Sequence, residues 1–190
     1  MSLPNRLTIL RMILTVFFVW FLFRPGVGAK VIAAVIFLLA SWTDFYDGYY
    51  AKKHNFITDF GKIMDPIADK FLILAAFFVF MTMHIVALWM FVIIVIREVG
   101  VTVLRLYAMG RGKVLAAEAA GKVKTVLQFT AISLILIFLV FAEAGFQGHW
   151  ARSFIIQLFQ GIQVLMFVVV AVTLFSGISF AWNNRRSLYA

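Results

Sequence analysis

Cysteine is absent from this chain of 190 residues, and acidic residues are scarce, with 8 Asp and Glu against 17 Lys and Arg. The absence of cysteine excludes disulfide bonds, thiolate metal sites and a cysteine nucleophile. Histidine occurs only three times, at positions too scattered to predict a catalytic histidine: His54, His84 and His149. Neither cysteine nor histidine is therefore a candidate for the chemistry of an active site.

Apolar residues are the abundant class. They make up 64% of the chain and charged residues 13%, against about 45–50% and about 25% in soluble domains. The mean hydropathy is +1.03, which predicts an integral membrane protein. The length of 190 residues predicts one domain over residues 1–190. In so apolar a chain, the net charge of +9 favours anionic lipids or an anionic substrate as partners, and no nucleic acid.

The order of apolar runs and turn signals predicts an all-α polytopic protein with six transmembrane helices. A short N-terminal interfacial helix, Met1–Arg11, precedes them because this segment is amphipathic. The run Phe71–Ile96 divides into two spans near Thr82, since basic residues flank it on both sides and must share the cytoplasmic side. The other spans come from four further apolar runs: Met12–Phe23, Val31–Trp42, Thr125–Phe141 and Phe154–Trp182.

Charge placement predicts the orientation in the membrane. With six spans, all but three of the 17 Lys and Arg residues fall on one side, the exceptions being Arg24, Lys30 and Arg152. The positive-inside rule makes that side cytoplasmic. We therefore expect a multi-pass protein of a cell membrane, with both termini and the active site in the cytoplasm.

Five of the eight acidic residues lie in one stretch, from Asp44 to Asp69. Asp44 and Asp47 are three residues apart, and Asp65 and Asp69 are four apart, so on helices each pair shares a face. Carboxylates beside apolar runs are costly unless their charge is compensated. Oxygen ligands favour hard cations, and four carboxylates can hold two of them about 3.5–4 Å apart for phosphoryl displacement. The stretch predicts an active site with two Mg²⁺ or Mn²⁺ ions.

Two other interpretations of the same stretch exist. The aspartates could pair with neighbouring lysines in an interfacial salt-bridge belt, or they could mark an ion or proton pathway. The paired spacing and the small residues at fixed offsets favour the metal site over the belt. The pathway is disfavoured because the acids lie at one membrane end and no polar trail continues from them.

The pattern D-x-x-D-G-x-x-A-K-x8-G-x-x-x-D-x-x-x-D closely resembles the signature of the CDP-alcohol phosphatidyltransferase family. Lys52 stands where that signature has arginine, which retains the charge but loses the bidentate fork. The resemblance implies that Asp44, Asp47, Asp65 and Asp69 hold the metals and that Asp69 is also the catalytic base. It implies a CDP-binding pocket formed by a larger set: Asn5, Thr8, Asp47, Gly48, Ala51, Lys52, Gly61 and Asp65. For Asn5, a helix N-cap role is an equally good interpretation.

Further motifs resemble the phosphatidylglycerophosphate synthase branch of that family. They are Pro4–Arg11, Asp59–Lys70, Arg97–Arg105 and Gly121–Thr125, whereas Ala116–Glu118 departs from the expected pattern. The resemblance implies transfer from CDP-diacylglycerol to sn-glycerol 3-phosphate, by a homodimer among membrane lipids. The alternatives are the acceptors inositol phosphate, serine or phosphatidylglycerol, or a metal-ion transporter.

Glycerol 3-phosphate is a small dianion, so its pocket needs cations. The candidates for contacting the acceptor phosphate are Arg97, Arg105, Arg111, Lys122 and Lys124. Arg97 and Arg105 are eight residues apart and share a helix face. For each cation, anchoring at lipid headgroups is an alternative role, and for Arg97 so is pairing with Glu98 or across helices.

Overall fold

The computed structural model describes the backbone of residues 3–54, 59–111, 119–145 and 149–189, and the side chains within 8–43, 70–111, 121–145 and 152–185. Over these ranges the chain forms six α-helices and no strand, which confirms the all-α prediction. The helices are α1 (Leu3–Phe23), α2 (Val27–His54), α3 (Asp59–Thr82), α4 (Leu88–Gly110), α5 (Ala119–Glu143) and α6 (His149–Tyr189).

The first helix corrects one prediction. A separate interfacial helix over Met1–Arg11 is wrong, because α1 runs without a break from Leu3 to Phe23. Pro4 lies in the first turn of α1, where its missing N–H has no helical partner to lose. Neither proline nor glycine occurs again before Phe23. With nothing to end the helix, its amphipathic start and its apolar run form one element.

The division of the long apolar run into two helices is confirmed. α3 ends at Thr82 and α4 begins at Leu88. His84 takes the left-handed φ of 58°, which reverses the chain at some conformational cost for a non-glycine residue. The backbone N–H groups of Ile85 and Val86 both donate to the carbonyl of Phe80, at 2.9 and 3.2 Å, and these bonds close the turn.

The six helices pack as a closed ring. Taken in order around the bundle, they are α1, α2, α5, α6, α4 and α3, which packs again on α1. α3 also contacts α2 and α5. Within the described residues, the backbones of α4 and α5 make no close contact. This gap between α4 and α5 is where the basic cavity described below is found.

The core is apolar and every helix contributes to it, whereas the outward faces expose large apolar side chains such as Trp42, Ile96 and Phe175. Among the described residues, two segments are long and apolar enough to cross a membrane, Gly121–Glu143 and Arg152–Arg185, and only 28% and 33% of an apolar 18-residue window in each is buried within the bundle. A core helix of a soluble protein would be mostly buried. These are the surfaces of a membrane protein. The fully buried core includes one residue from each helix in chain order: Phe18, Phe37, Phe77, Ile94, Ile132 and Met166.

Two adjacent phenylalanines of α3 provide a test of this packing. Phe77 is 0% exposed and Phe78 is 48% exposed. Phe77→Ala should lower the free energy of unfolding by about 3 kcal/mol, because it leaves a cavity in the core. Phe78→Ala should have a much smaller effect, since its ring faces outward and contacts only the edge of the bundle near Phe91. Equilibrium unfolding in mixed micelles measures both, and equal losses would contradict this packing.

Candidate active site

The predicted metal ligands fall on two helices that contact each other. Asp44 and Asp47 lie on α2, and Asp65 and Asp69 lie on α3. Their side chains lie outside the described residues, as do those of Asn5, Gly48, Ala51, Lys52 and Gly61, so the metal and CDP sites stay predictions. As a donor set, four carboxylates fit hard divalent cations. Gly61 lies in the first turn of α3, at the start of the helix that carries Asp65 and Asp69.

The packing of α1 on α2 brings Arg11 to the end of the bundle where the predicted metal ligands lie. The two helices are joined by a short turn and are antiparallel, and the rings of Phe18 and Phe37 are 5.7 Å apart. Two helical turns further, the same register places Arg11 at the level of Asp44. Arg11 is only 2% exposed, which is unusual for arginine. Sequence reasoning did not select Arg11 as a site residue.

The sequence did carry a signal for Arg11. One inner stripe of α1 is buried at helical spacing, and it consists of Thr8, Arg11, Thr15, Phe18 and Leu22. A charged residue within a stripe that faces the bundle interior is a functional candidate by default. Thr8, which was predicted to contact CDP, is buried in this stripe one turn before Arg11.

A basic cavity of about 590 Å³ lies between α4 and α5, with α3 at its side. It contains four of the five cations predicted to bind the acceptor phosphate, and it adds Lys70 of α3, which is not among those five. Glu98 contributes a carboxylate and Thr102 and Thr125 contribute hydroxyls. The five cations that line the cavity are Lys70, Arg97, Arg105, Lys122 and Lys124.

The cations form two levels. Lys124 is buried and Arg97 is largely buried, whereas Arg105 and Lys122 are exposed. On α4, Arg97 and Arg105 are two turns apart, as the sequence predicts, and Val101 between them also lines the cavity. Hence the cavity has an inner wall of buried charge and a rim of exposed charge.

Glu98 is the centre of the inner wall. Its side chain is 1% exposed, and it accepts a hydrogen bond and ion pair from the Lys124 ammonium of α5. The amide of Gln128, one turn after Lys124, also donates to it at 3.3 Å, and the Arg97 guanidinium lies 3.4 Å from both carboxylate oxygens. A buried carboxylate is costly without such partners. The network therefore compensates the charge and spans the gap between α4 and α5.

Arg97 extends the network to α6. Its Nη2 donates to the Ser176 hydroxyl at 2.6 Å. The side chain crosses α6 at Gly177, where a Cβ would lie 3.1 Å from the Arg97 Cγ. At Gly121 of α5, a Cβ would lie 3.8 Å from its Nη2. Because a Cβ at position 177 would be closer to Arg97 than an ordinary van der Waals contact, glycine favours this close approach. Arg97 thus connects α4 to α6 and lies against α5.

The other two predicted arginines differ. The Arg105 guanidinium lies 5.4 Å from the centre of the Phe180 ring of α6 and lines the cavity. Arg111 is the residue that caps the end of α4, and its guanidinium lies over the Tyr107 ring at 4.5 Å. Arg111 is exposed and is not among the residues that line the cavity. The structure thus separates two arginines that the sequence treats alike.

Comparison with known proteins gives consistent matches. Residues 1–182 match the family described as CDP-alcohol phosphatidyltransferase. A Bacillus subtilis protein named CDP-diacylglycerol–glycerol-3-phosphate 3-phosphatidyltransferase is 40% identical over 72% of this chain and 77% of its own length. The Escherichia coli K12 protein of the same name is 32% identical over 98% and 97%. A Mycobacterium tuberculosis protein named probable phosphatidylglycerophosphate synthase is 41% identical over 72% and 66%.

Two glycines test the crossing of Arg97 over α6. Gly100→Ala should raise the free energy of unfolding by about 0.5–1 kcal/mol, the usual gain of alanine within a helix, because no atom lies within 4 Å of the added carbon. Gly177→Ala should lower it, since Arg97 is held at its far end by Ser176 and Glu98 and cannot move aside. Unfolding in mixed micelles measures both changes. An increase in both variants would contradict the close approach.

Proposed function

We propose a function from one premise: this chain belongs to the CDP-alcohol phosphatidyltransferase family. On this premise it transfers the phosphatidyl group of CDP-diacylglycerol to sn-glycerol 3-phosphate, giving phosphatidylglycerol phosphate and CMP. The names of relatives that share nearly the whole length of the chain support this donor and this acceptor.

One observation supports an acceptor that carries a phosphate, as glycerol 3-phosphate does. The cavity between α4 and α5 brings cations from three helices together around a single described carboxylate, as a small dianion requires. Its Lys70 directly follows Asp69, and Asp65 is five residues earlier on the same helix. At 1.5 Å per residue, both aspartates lie within about 8 Å of Lys70 along the axis of α3. The acceptor therefore binds beside the predicted catalytic stretch.

The roles of the chain's own residues follow from this placement. Cations of the cavity bind the phosphate of glycerol 3-phosphate and orient its 1-hydroxyl toward α3. Asp69 takes the hydroxyl proton, the freed oxygen bonds to the phosphorus that carries diacylglycerol, and the bond from that phosphorus to CMP breaks. Thr8, Gly48, Ala51 and Lys52 belong to the CDP pocket on this proposal, together with Asn5, Asp47, Gly61 and Asp65.

The aspartates also provide for a metal centre. Asp44, Asp47, Asp65 and Asp69 would hold two divalent cations, Mg²⁺ or Mn²⁺, which neutralise the charge of a pyrophosphate and its leaving group. The donor chemistry supports hard cations, because these ligands are oxygens only.

Six spans with both termini in the cytoplasm are the proposed topology. The turns at 24–26 and 144–145 lie at the same end of the bundle, since the Gly26 N–H donates to the Glu143 carboxylate. The aspartates and most cations belong to the opposite end, which the positive-inside rule assigns to the cytoplasm. CDP-diacylglycerol then enters from the inner leaflet of a bacterial cell membrane. We also propose a homodimer, and this rests on the family resemblance alone.

The reaction is tested by measuring CMP release from CDP-diacylglycerol by purified protein, with and without glycerol 3-phosphate and divalent metal. We expect release only when both are present. Asp69→Ala should abolish turnover, because no carboxylate remains to take the proton, while the fold and CDP binding are retained. Release with serine, inositol phosphate or phosphatidylglycerol instead would keep the family and overturn the acceptor. A near-normal rate in Asp69→Ala would reject its role as the base.

A pair of arginines tests the position of the acceptor. Arg105→Gln should raise the KM for glycerol 3-phosphate by about tenfold, the usual scale for losing one charge-assisted contact. Arg111→Gln should change this KM by less than about twofold, since Arg111 lies outside the cavity. Steady-state kinetics at saturating CDP-diacylglycerol measures both variants. Equal effects of the two substitutions would place the acceptor elsewhere.

A further inference from the structure

We propose that Glu98 is a positioning residue for the acceptor: its carboxylate fixes Lys124 and Arg97 in the inner wall of the cavity, where they meet the acceptor phosphate. This rests on the proposed function, because the phosphate is that of glycerol 3-phosphate. Neither the paired aspartates nor the cation set predicts a role for a buried glutamate.

Glu98 lies in the inner wall of the cavity. It is the only carboxylate among the described residues that line the cavity, and the five cations there come from α3, α4 and α5. A carboxylate in an anion site weakens binding by direct repulsion. Its presence at the inner wall therefore calls for a compensating benefit.

The Glu98 carboxylate contacts donors from both α4 and α5. Lys124 and Gln128 approach it from α5, and Arg97 approaches it from the neighbouring position on α4. All of these donors are largely or fully buried. Because the backbones of α4 and α5 make no close contact at any described residue, these side-chain contacts are the direct link between the cations of the two helices.

Without the Glu98 carboxylate, the inner cations of the cavity would lose their common partner. Arg97 and Lys124 are like charges that share one buried carboxylate, so they would repel each other in its absence. Lysine has a flexible stem with many rotamers, and ordering it during binding would cost affinity. Glu98 makes this ordering part of folding. The inner cations are then placed before the acceptor arrives, while Arg105 and Lys122 remain at the exposed rim.

The test uses full-length protein and compares Glu98→Gln, Lys124→Gln and the double variant in CMP-release kinetics, with glycerol 3-phosphate varied. Glutamine retains the size of Glu98 and removes the charge that holds Lys124. We expect the KM for glycerol 3-phosphate to rise at least about tenfold in each single variant, with kcat within about threefold of wild type. The KM for CDP-diacylglycerol should not change. In the double variant the KM should rise by clearly less than the product of the two single effects, because both substitutions remove the contact between Glu98 and Lys124.

The control is Glu143→Gln, which is the same Glu-to-Gln substitution at the opposite end of the bundle. There the Glu143 carboxylate accepts a hydrogen bond from the Gly26 N–H. It should leave both KM values unchanged, whatever its effect on thermal stability. A purely structural role of Glu98 predicts that Glu98→Gln behaves like Glu143→Gln, with a lower melting temperature and normal KM values, and this result overturns the proposal.

Two further outcomes also overturn it. A lower KM for glycerol 3-phosphate in Glu98→Gln would mean that the carboxylate only subtracts charge from the cavity. Multiplicative effects in the double variant would mean that Glu98 does not act through Lys124. Failure of the proposed function is distinct from all of these, because wild-type protein would then release no CMP with glycerol 3-phosphate.

Discussion

A buried carboxylate shared between cations of different helices is the interaction on which the basic cavity depends. Glu98 on α4 joins Lys124 and Gln128 on α5, and Arg97 continues the network to Ser176 on α6. These contacts join α4 to α5, whose backbones make no close contact at any described residue, and link α4 to α6. Breaking such a buried pair is costly, because the remaining charge has no partner. The cavity is therefore built into the folded state.

The bilayer explains why charge is gathered in so few places. The lipid-facing sides of the helices expose large apolar residues such as Trp42 and Phe175, and unpaired charge there is strongly disfavoured. Arg11 on α1 and Glu98 on α4 are both buried, and both lie on helices that border the aspartate stretch or the cavity.

Much of the fold follows from the sequence because its signals are local. The turn between α3 and α4 is predicted by the basic residues on both flanks of one apolar run, and the structure has helix ends at Thr82 and Leu88. The N-terminal helix is the instructive error. Amphipathicity of Met1–Arg11 describes a surface preference, but a helix ends only where a residue stops it, and none does before Phe23.

The site was less predictable because its contacts are not local. Arg97 and Ser176 are 79 positions apart, and no periodicity in the sequence relates them. Lys70 is not among the predicted acceptor cations, because only the packing of α3 beside α4 and α5 shows that it lines the cavity. Arg105 and Arg111 are both arginines in the basic segment that follows the same apolar run. Only the structure shows that Arg105 lines the cavity, whereas Arg111 caps the end of α4 and lies outside it.

The gap between α4 and α5 has a consequence for how such a bundle can diversify. Where two backbones touch, a change in the space between them requires the helices to move. Here the separation is bridged by side chains, so exchanging one bridging pair for a longer or shorter pair alters the room inside while the rest of the bundle stays as it is. A single scaffold can in this way come to admit alcohols of different size without rebuilding its core.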